Sequence, residues 1–190
     1  HQVWKEALAH SGLGNLEPIQ EGSWHVPIEK LINSDVLTKL VDILVEIDSQ
    51  DFDFDHFIAL SGGLCPVNGN EILFEPQCCS DLANIDEWKA CIASVGNKWE
   101  DLWIGHPWAK VRRENTVMEF ELVGENADVG VIAKFCVSIE ALERALAKAE
   151  KVQRDFAKRL CKVLEAKLEP SVAERLARLL AGVAAHDELP

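Results

Sequence analysis

Two adjacent cysteines, an aspartate and a histidine are the residues of this chain whose types best suit catalysis. Cys78 and Cys79 stand together, Asp81 follows them closely, and His106 lies in a Gly-His-Pro-Trp turn. A thiol hydrolase or transferase would use Cys78 or Cys79 as the nucleophile and His106 as the base. Asp81 would orient the imidazole, because the base needs a fixed tautomer. The alternative interpretation of His106 is a structural histidine held by hydrogen bonds, since cysteine and histidine often occur together without catalysis.

The central cysteines also raise the question of a zinc site. Thiolate ligands are offered by Cys65, Cys78, Cys79 and Cys91. Structural zinc sites usually use ligand pairs that are two to four residues apart, whereas adjacent cysteines point to opposite sides of an extended segment. The sequence therefore predicts no metal and no cofactor, and buried reduced thiols are the simplest interpretation.

Three tryptophans form a candidate binding surface. Trp99, Trp103 and Trp108 fall within ten residues, and protein interfaces favour large amphipathic rings. Strand alternation does not allow Trp103 and Ile104 both to face inward, and Trp108 follows a proline at a turn. We therefore expect at least one exposed ring, and a binding surface that includes Trp103, His106 and Trp108.

An acidic run offers a second candidate binding feature. Asp51, Asp53 and Asp55 alternate along the chain as the oxygen ligands of a calcium loop do. The calcium-loop template fails, because His56 and Gly62 occupy the positions of its glycine and its bidentate glutamate. The run is interpreted either as a solvated linker or as a docking edge for a basic protein partner.

Composition limits the classes of function. The chain has 190 residues, of which 48% are hydrophobic and 27% are charged, as is typical of one soluble globular domain. A net charge of −13 argues against a nucleic-acid surface and would attract a cationic protein. Six irregularly placed cysteines, several in apolar segments, indicate a reducing, cytoplasmic compartment. No apolar run approaches the roughly 18 residues that cross a bilayer, so no membrane association is predicted.

The elements that position these residues follow from periodicity and turn residues. Helical spacing is found at 3–10 and at about 27–47, where Ser34 is the expected cap. A helix that begins with an Asn84 capping box should run to about Ala93 and bury Trp88. Strands are predicted at 57–60, on both sides of the Asn68-Gly69 turn, and at 102–104, 109–113, 116–123 and 129–137.

The C-terminal part is predicted to be helical. Ser138 is the expected cap of a long helix that reaches about Leu168, and Pro170 separates it from a last helix that begins with a Ser171 capping box. The long helix carries an apolar stripe that packs either on the sheet and the last helix or on a second copy of the chain. Its members are Leu142, Leu146, Ala149, Phe156, Leu160, Val163 and Leu164.

These patterns together predict an α+β fold: a mostly antiparallel sheet flanked by helices, with a C-terminal helical hairpin. The expected organisation is an N-terminal helical segment at 1–50 that packs on the core, a sheet-rich central region at 51–137, and C-terminal helices at 138–190. The whole chain is expected to be one domain.

The order of the central elements resembles the SUKH superfamily of bacterial immunity proteins. The resemblance covers about residues 56–147 and rests on a glycine-turn hairpin, Cys78-Cys79-Ser80-Asp81-Leu82 before the Trp88 helix, the strands around Trp103–Trp108, and a closing helix. It implies a non-enzymatic α+β domain that binds and neutralises a toxin, and an acidic surface would suit a basic nuclease toxin. Because the resemblance rests on element order alone, it does not identify any toxin-contacting residue in this chain.

The sequence thus predicts an acidic cytoplasmic protein-binding module, with immunity against a cognate toxin as its most specific version. The alternative is a small cysteine-dependent hydrolase or transferase that uses Cys78 or Cys79 with His106. Homo-oligomerisation through the C-terminal helices is a further expectation. Catalysis predicts a reactive thiol near His106, whereas binding predicts inert thiols and an exposed acidic and aromatic face.

Overall fold

The computed structural model is an α+β fold with a four-stranded antiparallel sheet, a small two-stranded sheet and helices, as the sequence predicts. It describes residues 2–44, 54, 58–124 and 130–184. The aspartates of the predicted acidic docking edge lie outside the described residues: Asp51, Asp53 and Asp55.

The chain folds as two compact units. The terminal unit consists of His1–Ile58 and Val152–Pro190, and the central unit consists of Ala59–Lys151. One domain overall therefore stays a prediction. None of the described helices has both the length and the apolar composition needed to cross a bilayer.

The elements of the central unit, and the long helix that leaves it, lie close to their predicted positions. The strands are β1 (Val67–Asn68), β2 (Glu71–Ile72), β3 (Glu100–Leu102), β4 (Trp108–Glu114), β5 (Val117–Val123) and β6 (Val131–Ser138). The helices are α3 (Ile85–Ser94) and α4 (Ile139–Leu164), which continues into the terminal unit. The larger sheet has the order β3-β4-β5-β6 with every pair antiparallel, so each strand neighbours the next one in sequence.

One face of the sheet forms the core of the central unit. Met118, Phe120 and Leu122 alternate along β5 and are all buried, as a period of two predicts. Trp88 of α3 and Leu142 of α4 belong to the same buried cluster. The ring centroids of Trp88 and Phe120 lie 5.4 Å apart.

The opposite face of the sheet carries charged side chains. On it, the Arg112 guanidinium donates two hydrogen bonds to the Glu119 carboxylate, at 2.9 and 2.7 Å. Lys134 of β6 forms an ion pair with Glu121 of β5. Cross-strand pairs of opposite charge stabilise neighbouring strands.

The terminal unit contains the remaining helices and half of α4. Its helices are α1 (Gln2–His10), α2 (Ser34–Leu44) and α5 (Pro170–Leu180). Arg159 of α4 donates hydrogen bonds to the carbonyl oxygens of Leu31 and Ile28, each at 3.1 Å. The stripe residues Phe156, Leu160, Val163 and Leu164 are buried in this unit, and Leu142 and Leu146 are buried in the central unit. Packing of the stripe within the chain is confirmed, and homo-oligomerisation stays a prediction that the stripe does not support.

Three helix starts and one strand differ from the expectation. The Asn33 side chain, not Ser34, caps α2 by accepting hydrogen bonds from the Asp35 and Val36 amides at 2.8 and 3.3 Å. Pro170 opens α5, so Ser171 lies inside that helix. Asn84 precedes α3 without capping it through its side chain. Residues 58–60 are not a strand, although the segment that follows them pairs with the chain before α3.

Candidate functional site

Two loops of the central unit build the site. The first, residues 77–80, follows β2, and the second, residues 103–107, joins β3 to β4. Their backbones pair: the Gln77 amide donates to the His106 carbonyl at 2.8 Å, and the His106 amide donates to the Cys78 carbonyl at 3.1 Å. This pairing places His106 directly opposite Cys78.

The close approach of the loops depends on a glycine. Gly105 has a φ of +97°, which side chains with a Cβ rarely adopt. A Cβ at this position would lie 2.6 Å from the Ser80 Cβ and 2.9 Å from the Cys78 carbonyl oxygen. The Gly-His-Pro-Trp turn is therefore the sequence signal of this contact.

Residues around the first loop hold it in place. The Ser80 carbonyl accepts a hydrogen bond from the Gly62 amide at 3.1 Å. The buried Asn84 side chain donates to the Ser80 hydroxyl at 2.9 Å and accepts from the Leu64 amide at 3.3 Å. These bonds take the place of the predicted capping box, because the side-chain amide of Asn84 is used by the loop rather than by the start of α3.

The loops bring two thiols and an imidazole together. Cys78 Sγ lies 3.2 Å from His106 Nδ1, and the ligand atoms of Cys78, Cys79 and His106 all lie within 4.8 Å of one another. Both cysteines are exposed and His106 is half-buried. Cys79 has a φ of +57°. This left-handed residue breaks the alternation of an extended segment, so the expectation that adjacent cysteines point apart was wrong here.

Asp81 lies near the site but has a different contact. Its carboxylate accepts a hydrogen bond from the Ala83 amide at 2.8 Å and so caps the short 3-10 helix Leu82–Asn84. Within the described part of the chain, no hydrogen bond joins Asp81 to His106. The structure therefore brings Cys78, Cys79 and His106 together. The Asp81 carboxylate instead caps the short helix that follows it.

Other thiols lie in environments that suppress their reactivity. Burial, together with the negative charge of Glu75, raises the pKa of Cys65 to about 12. Burial and Glu87 likewise raise the pKa of Cys91 to about 12. A thiol with so high a pKa carries almost no thiolate near neutral pH, and the thiolate is the reactive form.

Three rings, two of them exposed, form an aromatic cluster beside the thiols, which we call the ring cluster: Trp103, His106 and Trp108. The ring centroids of Trp103 and Trp108 lie 4.8 Å apart, and that of His106 lies 4.7 Å from Trp108 and 5.8 Å from Trp103. Trp103 is 46% exposed and Trp108 is 42% exposed, whereas Ile104 is buried. The prediction that Trp103 and Ile104 face opposite ways and that at least one ring is exposed is confirmed.

The sequence indicates the reactive side chains of the site but not the residues that support them. Gly105, Ser80 and Asn84 hold the loops together, and only the glycine stands in a recognisable turn.

Comparisons with protein-family models, curated proteins and solved structures found no match to this chain.

Proposed function

We propose that this chain is a protein-binding module whose contact surface is centred on the ring cluster. The observation that carries the proposal is the pair of neighbouring tryptophans, Trp103 and Trp108, each more than two-fifths exposed. Burying the exposed part of such a ring, roughly 100 Å², would contribute about 2.5 kcal/mol to association. Tryptophan is among the residues that most often dominate the binding energy of protein interfaces.

The charge of the chain supports a basic partner. With a net charge of −13, the protein attracts cations and speeds the encounter with a positively charged protein. A basic toxin neutralised in the cytoplasm is the most specific form of this proposal, and the order of the central elements, which resembles SUKH immunity proteins, supports it. The face around the ring cluster would then cover part of the toxin.

Truncating one ring should weaken binding strongly. We expect Trp108→Ala to raise the Kd for a captured partner by about 30-fold or more, because a central aromatic contact is typically worth at least 2 kcal/mol. Trp24→Ala is the matched control, since Trp24 is 57% exposed but belongs to the terminal unit. The immobilised chain would capture partners from a lysate of its source cells, and titration calorimetry with the purified partner would give the Kd.

Three outcomes of this experiment would contradict the proposal. They are the absence of any stoichiometric partner, equal effects of Trp24→Ala and Trp108→Ala, and full binding by the Trp103→Ala/Trp108→Ala double variant. A captured partner whose nuclease or other toxic activity is inhibited by equimolar chain supports immunity. A partner without toxic activity would remove the immunity version and leave the binding function.

The contact between Cys78 and His106 favours a second candidate function, a cysteine-dependent hydrolase or transferase. At 3.2 Å, Cys78 Sγ is within reach of His106 Nδ1 for proton transfer. The imidazole would accept the thiol proton, and the thiolate would add to a carbonyl carbon of the substrate. The bond from that carbon to the leaving group would then break, the imidazolium would return its proton to the leaving group, and the acyl group would remain on Cys78 as a thioester. Trp103 and Trp108 would provide the adjacent surface for the substrate.

Alkylation rates test this second candidate. We expect iodoacetamide to label Cys78 at least about tenfold faster than Cys136 at pH 7, because His106 lies 3.2 Å from the Cys78 thiol and can accept its proton. Cys136 is the comparison because it is an exposed thiol on the open sheet face. His106→Ala should abolish the difference. Mass mapping of each cysteine between pH 5 and pH 9 provides the measurement, and equal rates for Cys78 and Cys136 would remove the catalytic candidate.

The same experiment contains an internal pH test. Cys65 and Cys91, whose pKa values are raised to about 12, become thiolates only as the pH rises toward that value. At pH 9 only about one such thiol in a thousand is ionised. Both should therefore remain unlabelled up to pH 9 in the folded protein, and they should react only after denaturation.

A further inference from the structure

We propose that Cys78, Cys79 and His106 form a binding site for one Zn²⁺ ion, with the fourth position of a tetrahedron open to solvent. This ligand set differs from the cysteines that the sequence offered, because it includes a histidine from a second loop and omits Cys65 and Cys91. Those two thiols are kept protonated by burial, whereas Cys78 and Cys79 are exposed. The zinc proposal does not rest on the partner-binding function, although His106 belongs to both the zinc site and the ring cluster.

The distances fit the ion. Zinc binds sulfur at about 2.3 Å and nitrogen at about 2.0 to 2.1 Å, so two ligand atoms of a tetrahedral ion lie about 3.5 to 3.8 Å apart. Cys78 Sγ and His106 Nδ1 are 3.2 Å apart. The widest separation in the set is at most 4.8 Å, so closure needs a movement of no more than about 1.3 Å. Small side-chain rotations at the exposed cysteines supply that movement.

The backbone holds the three residues in place before any ion arrives. The left-handed conformation of Cys79 brings its thiol to the same side as its neighbour. Two backbone hydrogen bonds fix His106 against the first loop, and Gly105 permits their close approach. A site whose ligands are already positioned loses less conformational entropy on binding.

The chemistry of the donors favours zinc. Thiolate and imidazole are ligands that zinc prefers over the oxygen donors used by calcium and magnesium. Two thiolates and a neutral imidazole carry a charge of −2, which balances Zn²⁺. Zinc binds cysteine as the thiolate, so binding of the ion would release protons. Three protein ligands are typical of zinc sites that keep one position open.

Metal titration of the reduced, metal-free full chain tests the site. We expect one equivalent of Zn²⁺ to be retained against the chromophoric chelator 4-(2-pyridylazo)resorcinol. Co²⁺ should give the visible absorption of a tetrahedral thiolate complex. Cys78→Ser, Cys79→Ser and His106→Asn should each weaken Zn²⁺ binding by about 100-fold or more. Cys136→Ser, which changes an exposed thiol away from the loops, should leave the affinity unchanged.

Protection of cysteines from alkylation, measured on the unaltered chain, tests the zinc site even if a variant fails to fold. Zn²⁺ should protect Cys78 and Cys79 from iodoacetamide but leave Cys136 reactive. The proposal is overturned if no equivalent of Zn²⁺ is retained, if only Cu⁺ binds, or if Cys79→Ser binds Zn²⁺ as tightly as the unaltered chain. Protein-partner binding is measured separately with Trp108→Ala, so either proposal can fail without the other.

Discussion

Gly105→Ala is expected to lower the free energy of unfolding by roughly 2 to 5 kcal/mol. The new Cβ would meet the Ser80 Cβ at 2.6 Å and the Cys78 carbonyl at 2.9 Å, and one of those atoms is backbone that cannot rotate away. A φ of +97° adds the strain of a conformation that alanine rarely adopts. Urea denaturation followed by far-ultraviolet circular dichroism would measure the change.

Gly69→Ala separates the two causes of this loss. Gly69 also has a positive φ, +62°, but nothing lies within 4 Å of an added Cβ. Alanine there should cost only about 1 to 2 kcal/mol, the strain of the backbone alone. In Gly105→Ala, the faster alkylation that the catalytic candidate predicts for Cys78 should also disappear, because the loops can no longer pair. Equal losses of stability in the two variants would show that the predicted collision does not occur.

Phe120→Ala should lower the free energy of unfolding by about 3 to 5 kcal/mol. Phe120 is 1% exposed and lies at the centre of the sheet's buried face. Its ring centroid is 5.4 Å from that of Trp88 and 4.8 Å from that of Phe135. Truncation would leave a cavity between a helix and the sheet, since neither ring can fill the space without moving its backbone.

Ile132→Ala is the matched control for the Phe120 experiment. It also truncates a large apolar residue of the same sheet, but Ile132 is 50% exposed on β6. Its effect should stay within about 0.5 kcal/mol. The ratio of the two losses, measured by the same urea titration, reports how far burial rather than residue type determines stability. Similar losses would contradict the assignment of Phe120 to the core.

The sheet was predictable because its burial is one-sided. Met118, Phe120 and Leu122 alternate with less buried residues in β5, and only a strand places every second residue on one face. Short connections between successive strands then favour antiparallel neighbours, as observed. The positions of β4, β5 and β6 and the α+β class therefore follow from local sequence, whereas the strand predicted at 57–60 did not form at the described residues 58–60.

Helix starts were less predictable because several polar side chains compete for the same amides. Asn33 and Ser34 are adjacent and both suit the cap, and the structure uses Asn33. Asn84 has a residue type and spacing that favour a capping box, yet its side-chain amide bonds to Ser80 and Leu64. Only the tertiary positions of those partners decide the outcome, and local sequence does not contain them.

The candidate site was predictable in its residue types and not in its geometry. Thiol and imidazole chemistry points to Cys78, Cys79 and His106, but Cys78 and His106 are 28 positions apart in the sequence. Their contact depends on the pairing of two irregular loops, for which no periodicity exists. Alternation also failed at Cys79, where a single left-handed residue reverses the expected direction of a side chain.

The division of the chain into two units has a consequence for the order in which they are completed during translation. The terminal unit needs both His1–Ile58 and Val152–Pro190, whereas the central unit is continuous. Because translation proceeds from the N-terminus, every residue of the central unit is made while the terminal unit still lacks its second part. The helices α1 and α2 are therefore complete before the segment that finishes their unit has been made, and that unit can reach its final packing only after the whole central unit has been synthesised.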